Sequence, residues 1–147
     1  MAALNFSAQV SAWVKKTKER SEAVLQTSAQ RLFQQAQTVG PSVANPDGGE
    51  GGRMPVETSF LRASFAVSFD GMPSGPSRNP ERKPFSYDEE GVNLKLTNVK
   101  LGQTIYAGWT AEYAPFMEER YAFMRGSTQN WEQIVKQACA DAQSRYG

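Results

Sequence analysis

The chain has 147 residues, 39% of them apolar and 21% charged, with 16 Lys and Arg against 15 Asp and Glu. Mean hydropathy is −0.54, which describes one modest core under much polar surface, and a net charge of +1 argues against a domain that lives by neutralising phosphate. The absence of histidine removes the commonest general acid/base and metal ligand, and the single cysteine, Cys139, excludes an internal disulfide or a thiolate zinc site.

Neither glycine nor proline occurs before Gly40. Within that stretch Phe6, Val10, Trp13, Val14, Val24, Leu25, Leu32 and Phe33 recur at helical steps. Residues 1–39 are therefore expected to form one long helix, capped by Asn5 or Ser7 and stopped by Gly40-Pro41. A helix of that length reaches about 50 Å at 1.5 Å per residue, against about 40 Å for the diameter of a domain of this size. It must bend or reach onto a neighbouring subunit. Lys15, Lys16, Lys18 and Arg20 give it the main basic cluster of the chain.

Residues 40–55, including Asp47-Gly-Gly-Glu-Gly-Gly-Arg53, form a glycine-rich loop expected to be mobile. No Gly-Lys-Ser/Thr follows, so it is not a phosphate-binding loop. Residues 56–70 read as a short helix, with Thr58 as cap and Leu61 inward, and a strand in which Phe65, Val67 and Phe69 share the buried face. Residues 71–91 form a second, extended loop. In residues 92–147, Val92, Leu94 and Leu96 alternate with polar residues, as do Ile105, Ala107 and Trp109. The two runs are expected to make an antiparallel hairpin around Lys100–Gly102. A short helix over Tyr113–Glu119 follows. The last helix runs from Thr128 to about Arg145, capped by Ser127 or Thr128, with Trp131, Ile134, Val135, Ala138 and Ala142 on one face. The expected architecture is α+β: a long N-terminal helix and a C-terminal helix packed on a small antiparallel sheet, with two long loops.

The segment Pro55-Val-Glu-Thr-Ser-Phe-Leu-Arg-Ala-Ser64 resembles the signature Pro-Val-Asp-Thr-Gly-x-Leu-Arg-x-Ser of the tailed-bacteriophage head–tail joining and tail-completion (neck) proteins. Tyr113-Ala-Pro-Phe-Met-Glu118 is similar to a second family element, Tyr-Ala-x-x-x-Glu, and the order of elements agrees. Ser59 stands where the family has glycine. The resemblance implies a virion structural protein of a tailed phage, assembled in the host cytoplasm. It would form a homo-oligomeric ring between the neighbouring connector and tail proteins, without cofactor, metal or catalytic site. A tail-tube terminator ring is the alternative within that class.

The residues expected at contacts are Trp13, Lys16 and Arg20 on the long helix, Arg53 closing the first loop, and Glu57, Thr58, Arg62, Tyr113 and Glu118 in the two motifs. Arg62 and Glu118 are candidates for a pair, within the subunit or to the next one. The basic cluster offers non-specific contact with DNA in a channel, and no segment reads as membrane-spanning. From a different class comes a metal-dependent nucleic-acid-processing enzyme built on Asp88, Glu89 and Glu90. Met117 and Met124 are expected in the core or at a contact, and Cys139 as a buried or half-buried thiol.

Overall fold

A computed structural model of the protein describes residues 6–49 and 51–146. Its elements are α1 (Phe6–Ala36), α2 (Phe60–Ala63), β1 (Phe65–Ser68), α3 (Glu89–Thr97), β2 (Tyr106–Trp109), α4 (Ala114–Tyr121), α5 (Phe123–Thr128) and α6 (Trp131–Tyr146). The fold is α+β, with a two-stranded antiparallel sheet and two long terminal helices, α1 and α6, that pack on each other. Asn5, proposed above as a cap, lies outside the described residues.

α1 spans 31 residues, about 46 Å at the α-helical rise. Ala, Gln, Lys and Glu carry it without a breaker, and it ends where Gln37 N–H donates to Phe33 O (2.9 Å) ahead of Gly40-Pro41. Its C-terminal half buries Ala29, Leu32, Phe33 and Ala36. α3 and the turn after it run antiparallel to that half, joined where Gln30 donates to Asn93 O, Gln26 to Val99 O, and Leu101 N–H to Glu22 Oε1. α6 returns on another flank, tied by the Arg31–Asp141 ion pair. Beyond Glu22 the support ends: every residue from Ser7 to Lys16 is exposed.

β1 and β2 pair in the register Phe65↔Trp109, Ala66↔Gly108, Val67↔Ala107 and Ser68↔Tyr106. Phe65 and Val67 are buried while Ala66 and Ser68 are half-buried, as period-2 alternation requires. One cluster gathers Leu32, Phe33, Phe65, Val67 and Leu96; a second gathers Met54, Phe60, Leu61 and Phe123. Trp109 joins them through a chain of rings, Phe33–Phe65 at 5.0 Å, Phe65–Trp109 at 4.9 Å and Trp109–Phe123 at 4.8 Å. Burying each of these large side chains is worth about 1.5–3 kcal/mol.

The expected hairpin does not form. Residues 92–96 lie in α3, and β2 takes β1 as its partner instead. Asp88 caps α3 by accepting the Gly91 N–H at 3.0 Å, and Glu89 and Glu90 occupy the first turn, where carboxylates suit the positive end of the helix. Leu96 is buried while Leu94 stays 67% exposed, a helical rather than an alternating pattern. The second loop accordingly ends at Asp88. Ser127 and Thr128 fall within α5, and α6 starts at Trp131, its first turn closed by Ile134 N–H on Asn130 O.

The glycine-rich stretch is tied at its base. Gly40 N–H donates to Met54 O (3.0 Å), and Arg53 and Met54 N–H both donate to Thr38 O (3.1 and 3.0 Å). A parallel bridge joins Val39 and Met54. The Gly40 and Gly52 backbones cross so closely that a Cβ on Gly40 would overlap the Gly52 carbonyl, and one on Gly52 the Thr38 and Val39 carbonyls. The second loop lies along the outside of β2 and α2. Glu112 N–H donates to Ser77 O, Thr110 Oγ1 to Pro76 O and Phe85 N–H to Thr58 O, and Phe85 packs edge-on against Phe60 at 5.0 Å.

Candidate functional site

The two motifs meet in space. Residues 55–61, the Ser42–Ala44 segment and α4 enclose a cleft of about 400 Å³ lined largely by apolar side chains, Val56, Phe60 and Met117 among them. Ser59 enters α2 with φ 65° and ψ 12°, in the left-handed region. That backbone turns the chain so that Phe60 and Leu61 both point into the core, at 2% and 3% exposure. Pro115 is accommodated in the first turn of α4, where no N–H is needed.

Glu57, Thr58 and Tyr113 line this cleft. Glu57 pairs with Arg82. Thr58 is not a helix cap in the usual sense; its Oγ1 accepts from Phe60 N–H (3.3 Å) and its carbonyl accepts from Phe85. Burial pushes the Tyr113 phenol above its ordinary pKa, partly offset by a hydrogen bond from the Leu61 backbone. Tyr121 Oη accepts from Val43 N–H at 3.2 Å, fixing one wall, while Arg120 supplies the other charge of the lining. Phe116, on α4, is 73% exposed. The arrangement suits the docking of an apolar segment rather than the transfer of a proton.

Arg62 and Glu118 do not pair. Arg62 Nε donates to Gln37 O at 2.8 Å and its guanidinium stacks 5.0 Å from the Tyr87 ring centroid. Glu118 accepts from the Met124 and Arg125 N–H groups at 3.0 and 2.7 Å, capping α5. Arg53 lies over Gly126, where a Cβ would meet its guanidinium. Arg62 and Glu118 thus bond within the chain, while Arg53 lies exposed beside Gly126. Gln37, which the sequence reading passed over, is the hub: it is 1% exposed, its Nε2 donates to Arg62 O, and its Oε1 accepts from Trp109 Nε1. Its signal was its place one turn after Phe33 on the buried stripe of α1.

Trp13, Lys16 and Arg20 sit on the overhang of α1. Trp13 is 67% exposed and Arg20 half-buried. Val10, Trp13 and Val14 lie on the helix face that half-buried Leu25 and buried Leu32 continue further along, and among the described residues they stay exposed.

Asp88 is occupied in capping, and among the described residues no group of three Cys, Asp or Glu side chains is placed to hold a metal ion. Cys139 is exposed on α6 rather than buried, because Ala138 and Ala142 take the inward positions. Met117 and Met124 are partly buried against the second cluster. No described helix is long and apolar enough to cross a membrane. No protein-family model, curated protein or solved structure matches the chain.

Proposed function

We propose that the protein is a ring-forming structural subunit of a tailed-phage neck, joining the head connector to the tail and acting by association rather than catalysis. The observation that carries this reading is the overhang of α1. Its apolar face, interrupted at Thr17 and Ser21, is buried at Ala29, Leu32 and Phe33 and exposed at Val10, Trp13 and Val14, and such a face calls for a partner. Two further features support it. The left-handed Ser59 occupies the position at which the resembled family has glycine, the residue that adopts that region at no steric cost. The two family-like motifs, more than fifty residues apart in sequence, jointly wall the apolar cleft. Lys15, Lys16 and Lys18 on the exposed overhang would tolerate passing DNA without reading it. On this reading the protein is assembled in the host cell and resides in the virion.

The test is co-expression with the proteins encoded on either side of it, followed by native mass spectrometry. A defined complex with a connector or tail-tube protein is expected, with the chain present in several copies. Failure to bind any head or tail component overturns the proposal. The proteins encoded beside it also separate the neck from the tail-terminator position.

A further inference from the structure

The two ends of α1 carry opposite chemistry. Between Ser7 and Arg20 the overhang holds Lys15, Lys16, Lys18 and Arg20 against Glu19 alone, and none of these forms an ion pair among the described residues. Some 20 residues away, about 30 Å along the helix, the last turn of α1 lacks any basic residue. The antiparallel course of α3 brings Asp88, Glu89 and Glu90 to that same end. Glu89 and Glu90 are exposed and likewise unpaired among the described residues. A cleft of about 220 Å³ opens there between the end of α1 and the start of α3, with Phe33, Val39, Tyr87 and Glu89 in its wall. Arg62 also borders it, but its guanidinium is engaged by Gln37 O and the Tyr87 ring.

We propose that the overhang of one copy docks, through Trp13, into the cleft between α1 and α3 of a second copy of this chain, with Lys16 and Arg20, which share the helix face of Trp13, facing Glu89 and Glu90. The inference names the partner for the overhang on which the proposed function rests. Three observations select this occupant and this cleft. The overhang, with four basic residues against Glu19, is complementary to the acidic end. Phe33, Val39 and Tyr87 give this cleft an apolar wall against which an indole ring can pack. The larger cleft beside α4 carries Glu57, already paired with Arg82, and Arg120 in its wall, so its charge does not favour a basic helix. A contact joining unlike ends is heterologous: it repeats from copy to copy and closes into a ring when the rotation permits.

Two experiments on the full-length chain test it. In sedimentation velocity, wild-type protein should associate weakly at low salt, and salt should weaken it further. A Lys16→Glu, Arg20→Glu variant should lose at least about tenfold in association constant, as should a Glu89→Lys, Glu90→Lys variant. Mixing the two should restore association, because each then offers the end the other lacks. Lysines at the start of α3 could weaken that helix, so a second measurement leaves it nearly intact. In a Cys139→Ser background, chains bearing Lys16→Cys are mixed with chains bearing Glu90→Cys and oxidised. A mixed disulfide dimer should form much faster than with a Ser144→Cys control on α6. Within one copy the two positions lie far beyond the roughly 7 Å that a disulfide tolerates between Cα atoms.

Equal cross-linking to the control, or no restoration on mixing, overturns the inference. So does a wild-type chain that stays monomeric to about millimolar concentration and has its overhang protected only by duplex DNA, anionic vesicles or another protein. Head-to-tail joining without affinity for connector or tail proteins leaves this inference standing and removes the proposed function. Binding to those proteins without the Lys16–Glu90 proximity does the reverse.

Discussion

At the scale of single residues, the backbone rather than the charges marks the special positions. Ser59 and Ala122 hold φ values of 65° and 54°, a region that costs non-glycine residues about 1–2 kcal/mol. Ser59→Gly should therefore raise stability by about 1 kcal/mol in chemical denaturation, since Ser59 makes no capping bond with its side chain. A destabilised variant would show that the Ser59 side chain matters in a way its geometry does not reveal. Gly52 is the opposite case. The atoms a Cβ would strike belong to the Thr38 and Val39 backbones, which cannot swing aside as a side chain can. Gly52→Ala should cost about 1–3 kcal/mol by overpacking, read as a lowered melting temperature. Sequence alone marked this stretch as a loop because of its glycines. That two of them permit a backbone crossing required knowing what the loop closes upon.

Among the elements, the long helix, the first strand and the final helix were legible because each has a long or clean period and a breaker beside it. The region after Asp88 was not. Val92, Leu94 and Leu96 satisfy alternation, yet Val92, Leu96 and Val99 satisfy helical spacing equally well, and three apolar residues cannot separate the two. The deciding signal was the cap: an aspartate followed by two glutamates is a helix start, whereas the sequence reading places those carboxylates at the end of the second loop, with a metal site only as the rival. The cleft of the two motifs was legible only in part. Glu57, Thr58 and Tyr113 do meet there, but Arg62 and Glu118 are engaged by backbone groups of their own chain that no spacing rule reveals.

Glu118 supplies a test at this level. Its half-buried carboxylate accepts two N–H groups at the start of α5, so Glu118→Ala should cost about 1–2 kcal/mol. Acid offers another. The Arg31 guanidinium, with help from Gln137, holds the Asp141 carboxyl below its ordinary pKa. A depressed carboxylate stabilises the fold fully above its unfolded value of about 3.9 and loses that contribution as pH falls through the lower folded value. The difference in stability between wild type and Asp141→Asn should be constant near neutrality and shrink below about pH 4. A difference that persisted unchanged into acid would rule out the ion pair as its source.

For the molecule as a whole, the body of the protein ends well before its first helix does. Because Trp13 is 67% exposed, Trp13→Ser should leave the unfolding free energy of the monomer within about 0.5 kcal/mol while abolishing self-association. Equal loss of both would mean that the overhang folds back onto its own subunit in solution. The same geometry explains why the function was harder to read than the fold. A docking helix and a core helix share one hydrophobic period, and what the sequence does not reveal is that Val10, Trp13 and Val14 stay exposed among the described residues.

The stem of the first loop carries a practical consequence. Its backbone ladder at Thr38, Gly40 and Met54 closes the loop whatever the tip contains, and at Gly51 the Cα faces open space. Lengthening a closed loop adds only about 0.6 kcal/mol for each doubling. A short epitope inserted beside Gly51 should thus leave the melting temperature nearly untouched. Antibody fragments bound to it would give electron microscopy a visible marker for the direction in which every copy points.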